Sequence, residues 1–255
     1  MKFIHRVSKG SRFNQIYVPA EMRMTFEVGD LVEVRLIEKK SRVYYSENIK
    51  DLGDFKRKII EEIFSVIKDF NNIEQAFIVG SFLTSREDYN DIDIIIVGKN
   101  AEEEVCSVLT EKLQLKFHII AVSEEKFGRL IKVCPVTRSM LYYYASNKKF
   151  SLSQNTSLDK NHLKFLLMMP EDLLEIRVKS RAYYDSIRRL IAIELFLLEK
   201  DSDPLKINKE ISRILGKRVF SYLKRGEEIS DAMLKEVREI IRSKLDKINN
   251  LIDAK

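Results

Sequence analysis

Two short apolar runs in the middle of the sequence, each joined to polar residues at one end, most restrict the folds open to this chain. Residues 75–79 read Gln-Ala-Phe-Ile-Val and run directly into a Gly-Ser pair, and residues 91–97 read Asp-Ile-Asp-Ile-Ile-Ile-Val. Side chains two positions apart on a strand lie on the same face, so Asp91 and Asp93 project together. Two carboxylates near a glycine-containing turn, whose backbone N–H groups can receive an anion, predict a site for a divalent metal and a phosphate.

The flanking sequence predicts an α/β unit around these two strands. Residues 54–70 place apolar side chains at helical spacing beneath a charged face, which predicts an amphipathic helix capped by Asp54. A second helix is predicted over residues 101–113 and a further strand over 116–122. Residues 140–145 fit a last strand of the same sheet.

This order of strands and motifs resembles the polymerase-beta nucleotidyltransferase superfamily over about residues 54–145. The signature of that family is a hydrophobic residue, Gly-Ser, a short spacer and then Asp-hydrophobic-Asp. Here Val79-Gly80-Ser81 is followed by a spacer of nine residues and by Asp91-Ile92-Asp93.

The resemblance implies an activity and a set of ligands. Mg²⁺ or Mn²⁺ would be held by Asp91 and Asp93, and the substrate would be an NTP whose nucleoside monophosphate is transferred to an acceptor. Gly80 and Ser81 would hold phosphate oxygens, and Arg86 would reach the triphosphate.

One position departs from the pattern of the family. A third carboxylate is usual on the next long strand, before an apolar run that ends in Ser-Glu-Glu-x-Phe, and counting back from Ser123 places this position at His118. Imidazole cannot supply the charge or the general-base role of a carboxylate beside a metal, although it ligates some metals. Either Asp91, Asp93 and His118 form an atypical catalytic set, or His118 fills a strand position in an inactive site.

The first 48 residues alternate residue types as short strands do and carry almost no helical pattern. Strand-like runs lie at 16–18 and 31–36. The stretches Ile16-Tyr-Val-Pro19 and Val28-Gly-Asp-Leu-Val-Glu-Val34 resemble the AbrB/SpoVT swapped-hairpin DNA-binding family, which includes antitoxins of the MazE type.

That second resemblance implies an intertwined homodimer, and it implies DNA contacts from basic residues near the amino end, namely Arg6, Lys9 and Arg12. A small β-module used only for dimerisation is the alternative. A dimer is expected in both cases, because strand domains of this size bury little surface alone.

Apolar spacing is helical from about residue 158 to residue 255. Helices are predicted over 161–168, 171–199, 205–215, 218–224 and 230–253. A bundle in this place resembles those that frame the acceptor in many superfamily members. The second of these predicted helices carries a group of basic and aromatic side chains, namely Arg177, Lys179, Arg181, Tyr183, Tyr184, Arg188 and Arg189. They could line a groove for RNA or another polyanion. Alternatively, the basic residues form a solvated face and the two tyrosines belong to the core.

Composition limits the remaining possibilities. No apolar run approaches the ~20 residues that span a bilayer, and the first residues turn charged too early for a secretory signal, so a cytoplasmic protein without membrane contact is expected.

The two cysteines, Cys106 and Cys134, have no partners at metal-ligand spacing and are expected to be reduced. The net charge of +6 suits a polyanionic partner, but it also suits an ordinary surface.

The sequence therefore predicts an α+β multidomain protein. A small all-β swapped hairpin at 1–48 precedes an α/β nucleotidyltransferase domain at 52–150 and an all-α helical bundle at 158–255. The leading function is metal-dependent nucleotidyl transfer from an NTP to an unidentified RNA or protein acceptor. The alternative is a dimeric DNA-binding regulator, of a toxin–antitoxin type, whose nucleotidyltransferase domain senses nucleotide or is inactive.

Overall fold

A computed structural model of the chain describes residues 3–35, 42–85, 89, 91–99, 101–153 and 155–255. It is a mixed α/β structure that divides into two units, an amino-terminal unit, Met1–Lys40, and a larger unit, Ser41–Lys255. The predicted domain boundaries near residues 48, 52, 150 and 158 stay predictions. No helix among the described residues is long and apolar enough to cross a membrane.

The amino-terminal unit has little regular structure and no core of its own. A hairpin pairs β1 (Ser8–Lys9) with β2 (Asn14–Gln15) in antiparallel register, and a single 3-10 turn follows at Ala20–Met22. No residue between 3 and 35 is buried. The runs predicted as strands, 16–18 and the described part of 31–36, are not strands here, because a strand needs a paired neighbour and none of the described residues pairs with them.

These exposed apolar side chains predict that the amino-terminal unit associates with a second copy. Ile4, Phe13, Val28 and Leu31 are all exposed. Deleting residues 1–40 is therefore expected to turn a dimer into a folded monomer, since the larger unit keeps its own cores. Light scattering of both proteins at micromolar concentration measures this, with circular dichroism as the check on folding. A monomeric full-length chain, or a dimer that survives the deletion, would contradict the prediction.

A five-stranded sheet forms the centre of the larger unit, in the order β3-β7-β4-β5-β6. Its strands are β3 (Tyr44–Tyr45), β4 (Ile73–Val79), β5 (Ile92–Gly98), β6 (Phe117–Val122) and β7 (Tyr144–Ser146). Only β5 and β6 are parallel; the other neighbours are antiparallel. The predicted strands at 75–79, 91–97 and 116–122 are thus confirmed to within two residues. Of residues 140–145, which were predicted as a last strand, only Tyr144 and Ala145 belong to one, β7.

Helices cover both faces of this sheet. On one face α1 (Asp54–Ile67) and α2 (Glu102–Leu113) pack on Ile92, Ile94 and Ile96 of β5. On the other face α3 (Glu124–Val133) places Phe127 against Phe77 and the remaining side of β5, and α4 (Pro135–Met140) follows directly. The predicted cap at Asp54 is wrong by one residue, because Asp54 is the first residue of α1 and Gly53 precedes it without a side-chain cap.

Four helices complete the unit as a bundle around the buried face of α6: α5 (Lys160–Glu175), α6 (Ser180–Leu197), α7 (Pro204–Arg225) and α8 (Asp231–Asp253). The predicted interruption at Gly216 is confirmed, since this glycine has a φ of +74° inside α7. The predicted break near residue 170 is wrong. Pro170 lies within α5, and the chain leaves the helix only at Ile176.

A long-range contact explains why Pro170 does not end the helix. Proline has no N–H, so it cannot bond the carbonyl four residues earlier, which is that of Leu166. The guanidinium of Arg189 on α6 donates to this carbonyl oxygen at 3.3 Å. The freed acceptor therefore has a partner from another helix, and α5 continues for one more turn.

Candidate functional site

The sheet register brings two of the predicted site residues, Asp93 and His118, into one row with Val79. Asp93 on β5 lies opposite Val79 on β4 and opposite His118 on β6. Ile92 and Ile94 point into the core on the α1 and α2 side, so Asp93 faces the α3 side, and strand alternation places Asp91 on that same side. The two aspartates are half-buried.

Gly80 lies against the Asp93 carboxylate and could not be another residue without a shift. Its φ is +85°, a conformation that side chains disfavour. A Cβ added at this position would lie 2.6 Å from Oδ2 of Asp93, well inside van der Waals contact. Glycine is therefore needed here both for the turn and for the close approach of backbone and carboxylate, since the carboxylate fills the space that a side chain would take.

Ser81 begins a 3-10 turn, Ser81–Leu83, that leads away from this point. The hydroxyl of Thr84 donates to the carbonyl oxygen of Ser81 at 2.7 Å. From α1, the ammonium of Lys56 donates to the carbonyl oxygen of Thr84 at 2.7 Å and lies over the ring of Phe82. The turn that follows Gly80 is therefore held at its far end by a side chain from another element.

His118 contacts the carboxylate directly. Its Nδ1–H donates to Oδ1 of Asp93 at 3.1 Å, and its side chain is 60% exposed whereas that of Asp93 is 30% exposed. Burial raises the pKa of Asp93, the hydrogen bond from His118 lowers it, and the negative charge of Asp91 raises it; the net direction is upward. A bound cation would oppose this shift, because a nearby positive charge favours the ionised carboxylate.

The residues present suit an ion such as Mg²⁺ that takes some of its ligands from the protein and the others from a substrate. Among the described residues, no three acidic, histidine or cysteine side chains are grouped to hold a metal ion by themselves. Mg²⁺ is commonly bound by one or two carboxylates together with phosphate oxygens and water, rather than by an all-protein cage. Asp91 and Asp93 could supply two carboxylate ligands of such an ion, and the backbone of Gly80 lies directly against Asp93.

Arg86 lies outside the described residues. Two basic residues act near the site although the sequence analysis did not assign them to it. Lys56 lies in the first turn of an amphipathic helix, where a lysine is unremarkable. Arg188 on α6 was expected to line a groove for a polyanion or a solvated face, and its positive charge lowers the pKa of Asp93. Both residues lie far from Asp93 in the sequence, so only tertiary packing relates them to it.

The three predicted DNA-contact residues lie on or next to the hairpin of the amino-terminal unit. Lys9 is in β1, Arg6 precedes that strand, and Arg12 lies in the turn between β1 and β2. All three are exposed.

The geometry combines two half-buried carboxylates, a turn that only glycine fits, and a histidine hydrogen-bonded to one of the acids. It can place a divalent cation and a phosphate side by side. No protein-family model matches this chain, and no curated protein matches it.

Proposed function

We propose that the larger unit is a nucleotidyltransferase, which transfers a nucleoside monophosphate from an NTP to an acceptor hydroxyl. The observation that carries the proposal is the approach of Gly80 to Asp93, where a Cβ would lie 2.6 Å from Oδ2. A carboxylate held against bare backbone brings a potential metal ligand next to backbone N–H groups that could donate to a phosphate. That arrangement has no evident use in packing the sheet.

In this reaction the hydroxyl oxygen of the acceptor attacks the α-phosphorus, a new P–O bond forms as the hydroxyl proton passes to solvent, and the bond to pyrophosphate breaks. Mg²⁺ or Mn²⁺, when bound, would neutralise charge on the triphosphate. Asp91 and Asp93 would hold the ion, and the backbone of Gly80 and Ser81 would bind phosphate oxygens and so align the α-phosphorus. His118 orients the Asp93 carboxylate through its hydrogen bond, but it adds no negative charge to the site.

Labelled nucleotides test the proposal. Purified protein is incubated with cell extract, Mg²⁺ or Mn²⁺, and each NTP carrying label at either the α- or the γ-phosphate. Nucleotidyl transfer predicts that the α-label appears on a macromolecule while the γ-label leaves as pyrophosphate. Transfer of the γ-label would identify a kinase instead, and no labelled product with any NTP would contradict the proposal.

A DNA-binding regulator is the second candidate function, with the larger unit acting as a nucleotide sensor. The observation that favours it is the exposure of Arg6, Lys9 and Arg12 on one short hairpin. No acidic residue lies in that stretch. A hairpin with this charge suits a phosphate backbone, and a second copy would double the contact.

If this hairpin binds DNA, its affinity falls steeply with salt. The slope of log affinity against log salt is about −0.9 for each phosphate contact. Each single replacement of Arg6, Lys9 or Arg12 with alanine is therefore expected to make the slope shallower by about one in a monomer, and by about two in a symmetric dimer, where the contact occurs twice. Fluorescence anisotropy at several salt concentrations measures this. Arg242→Ala, an exposed charge on α8, is the control that should leave the slope unchanged. Absence of binding at low salt would remove this candidate.

A further inference from the structure

The last strand of the five-stranded sheet, β6, pairs with β5 on one side, and no other described strand pairs with it. An edge strand presents a row of backbone N–H and C=O groups that can pair with another chain. The strand at the opposite edge, β3, has only two residues, whereas β6 has six. Among the described residues, β6 is therefore the edge of this sheet that is long enough to receive another strand.

The register shows which backbone groups of β6 face outward. The N–H of Ile92 on β5 donates to the carbonyl oxygen of Lys116 at 2.9 Å, so the backbone groups of Lys116 face β5. These groups alternate in direction along a strand. Those of Ile120 consequently face β5 as well, whereas those of Ile119 and Ala121 face away from it. No described residue forms a hydrogen bond with these outward groups.

An open groove runs along α2 beside this edge. Its volume is about 690 Å³, within the range of roughly 300–1,000 Å³ that is typical of ligand pockets. Ile119 of β6 lines one side, and the other side carries three carboxylates: Glu102, Glu103 and Glu111. None of the described residues that line the groove is basic, because Lys112, the lysine of α2, lies elsewhere on the helix and pairs with Glu62 on α1.

A strand added to β6 would place every second side chain in this groove. Phe117, Ile119 and Ala121 turn their side chains toward α1 and α2, and residues opposite them on an added strand would do the same. The glutamates would attract lysine or arginine at those positions. A second copy of β6 fits poorly, because antiparallel pairing about a twofold axis would bring the groove glutamates of both copies together.

We propose that β6 binds an extended, basic segment of a partner protein by strand addition, with lysine or arginine at every second position on the side of α2. Backbone pairing with Ile119 and Ala121 supplies affinity, and the groove glutamates select the charge. The bound segment lies beside the strand that carries His118, and hence next to the candidate site. This inference does not depend on the proposed function.

Synthetic peptides test the proposal on the full chain. The probe is a labelled seven-residue peptide that alternates lysine and valine and has blocked ends, and fluorescence anisotropy measures its binding. Two further peptides carry N-methyl groups, one on the lysine nitrogens and the other on the valine nitrogens. Only one of these sets faces β6, so one methylated peptide should bind at least about 10-fold more weakly than the other.

Variants of the chain locate the binding site. Ala121→Pro removes one outward N–H and places the proline ring at the free edge, a position where a strand tolerates proline, and it should weaken binding at least about 10-fold. Glu103→Gln combined with Glu111→Gln should weaken it by about 2- to 30-fold. Glu104→Gln is the matched control: this glutamate is exposed on α2 outside the groove, so its loss should leave binding within about twofold.

Four results would overturn the inference. The first is no binding of the lysine–valine peptide at up to about 1 mM. The second is equal affinity of the two methylated peptides, which stays decisive even if Ala121→Pro does not fold. The third is equally tight binding of a glutamate–valine peptide, since the groove would then not select charge. The fourth is a wild-type dimer that Ala121→Pro converts to a monomer in light scattering, because a second copy would then occupy the edge.

Discussion

Asp93→Ala is expected to lower nucleotidyl transfer by about 10³-fold or more, the largest loss that any single substitution should cause. A bound metal contributes several kcal/mol of transition-state stabilisation, and each 1.36 kcal/mol corresponds to a factor of ten in rate. Asp93 lies directly against Gly80 and accepts the hydrogen bond of His118, so its removal would take away one proposed metal ligand and the anchor of the histidine. The initial rate of α-label transfer measures the loss.

Two further variants make this result specific. Asp93→Asn keeps the size of the side chain and loses its charge, so it should be nearly as inactive as Asp93→Ala. Asp69→Ala removes an exposed acid in the turn after α1 and should leave the rate unchanged. Retention of most of the activity in Asp93→Asn would show that the carboxylate does not hold a metal.

His118→Asp is expected to raise transfer by about 10²- to 10⁴-fold if the missing carboxylate limits the reaction. This is the range that a positioned general base typically contributes. His118 lies opposite Asp93 across β5 and β6, and its side chain is largely exposed, so an aspartate should be tolerated there without repacking. The same α-label assay measures the gain, with Mg²⁺ and Mn²⁺ tested separately.

His118→Ala is the matched control for this gain. It removes the imidazole and its hydrogen bond to Asp93 without adding a charge, so transfer should fall or stay the same. If His118→Ala were as active as His118→Asp, the gain would come from removing the imidazole and not from the new carboxylate. No product from His118→Asp with any extract would favour the nucleotide-sensing regulator.

The centre of the sheet and its glycine turn could be predicted from the sequence because both depend on local pattern. Alternation along 91–97 fixes which side chains share a face, and the strand that ends at Val79 leads directly into Gly80. The structure adds a physical reason for that glycine, the contact with Asp93, which spacing alone does not provide.

Features that depend on contacts between distant elements could not be predicted. Pro170 has the usual features of a helix end, and only the bond from Arg189 to Leu166 explains why α5 continues past it. The bond from Lys56 on α1 to the carbonyl oxygen of Thr84 is also a contact between distant elements that no local signal marks. The strands predicted at 16–18 and 31–36 failed for a related reason, because pairing is a contact between segments and the described residues hold no paired neighbour for them.

Metal-dependent nucleotide binding by the wild-type chain tests the central claim most directly. The melting temperature is measured with each of the four NTPs, with Mg²⁺, with Mn²⁺ and with a chelator. Ligand that binds only the folded state at about 100 times its Kd adds about 2.7 kcal/mol of stability, which corresponds to a rise of roughly 5–10 °C for a chain of this size. We predict such a rise for at least one NTP with metal and none with chelator. An unchanged melting temperature for all four NTPs with both metals, or a rise that persists in chelator, would contradict a metal–nucleotide site at Asp91 and Asp93.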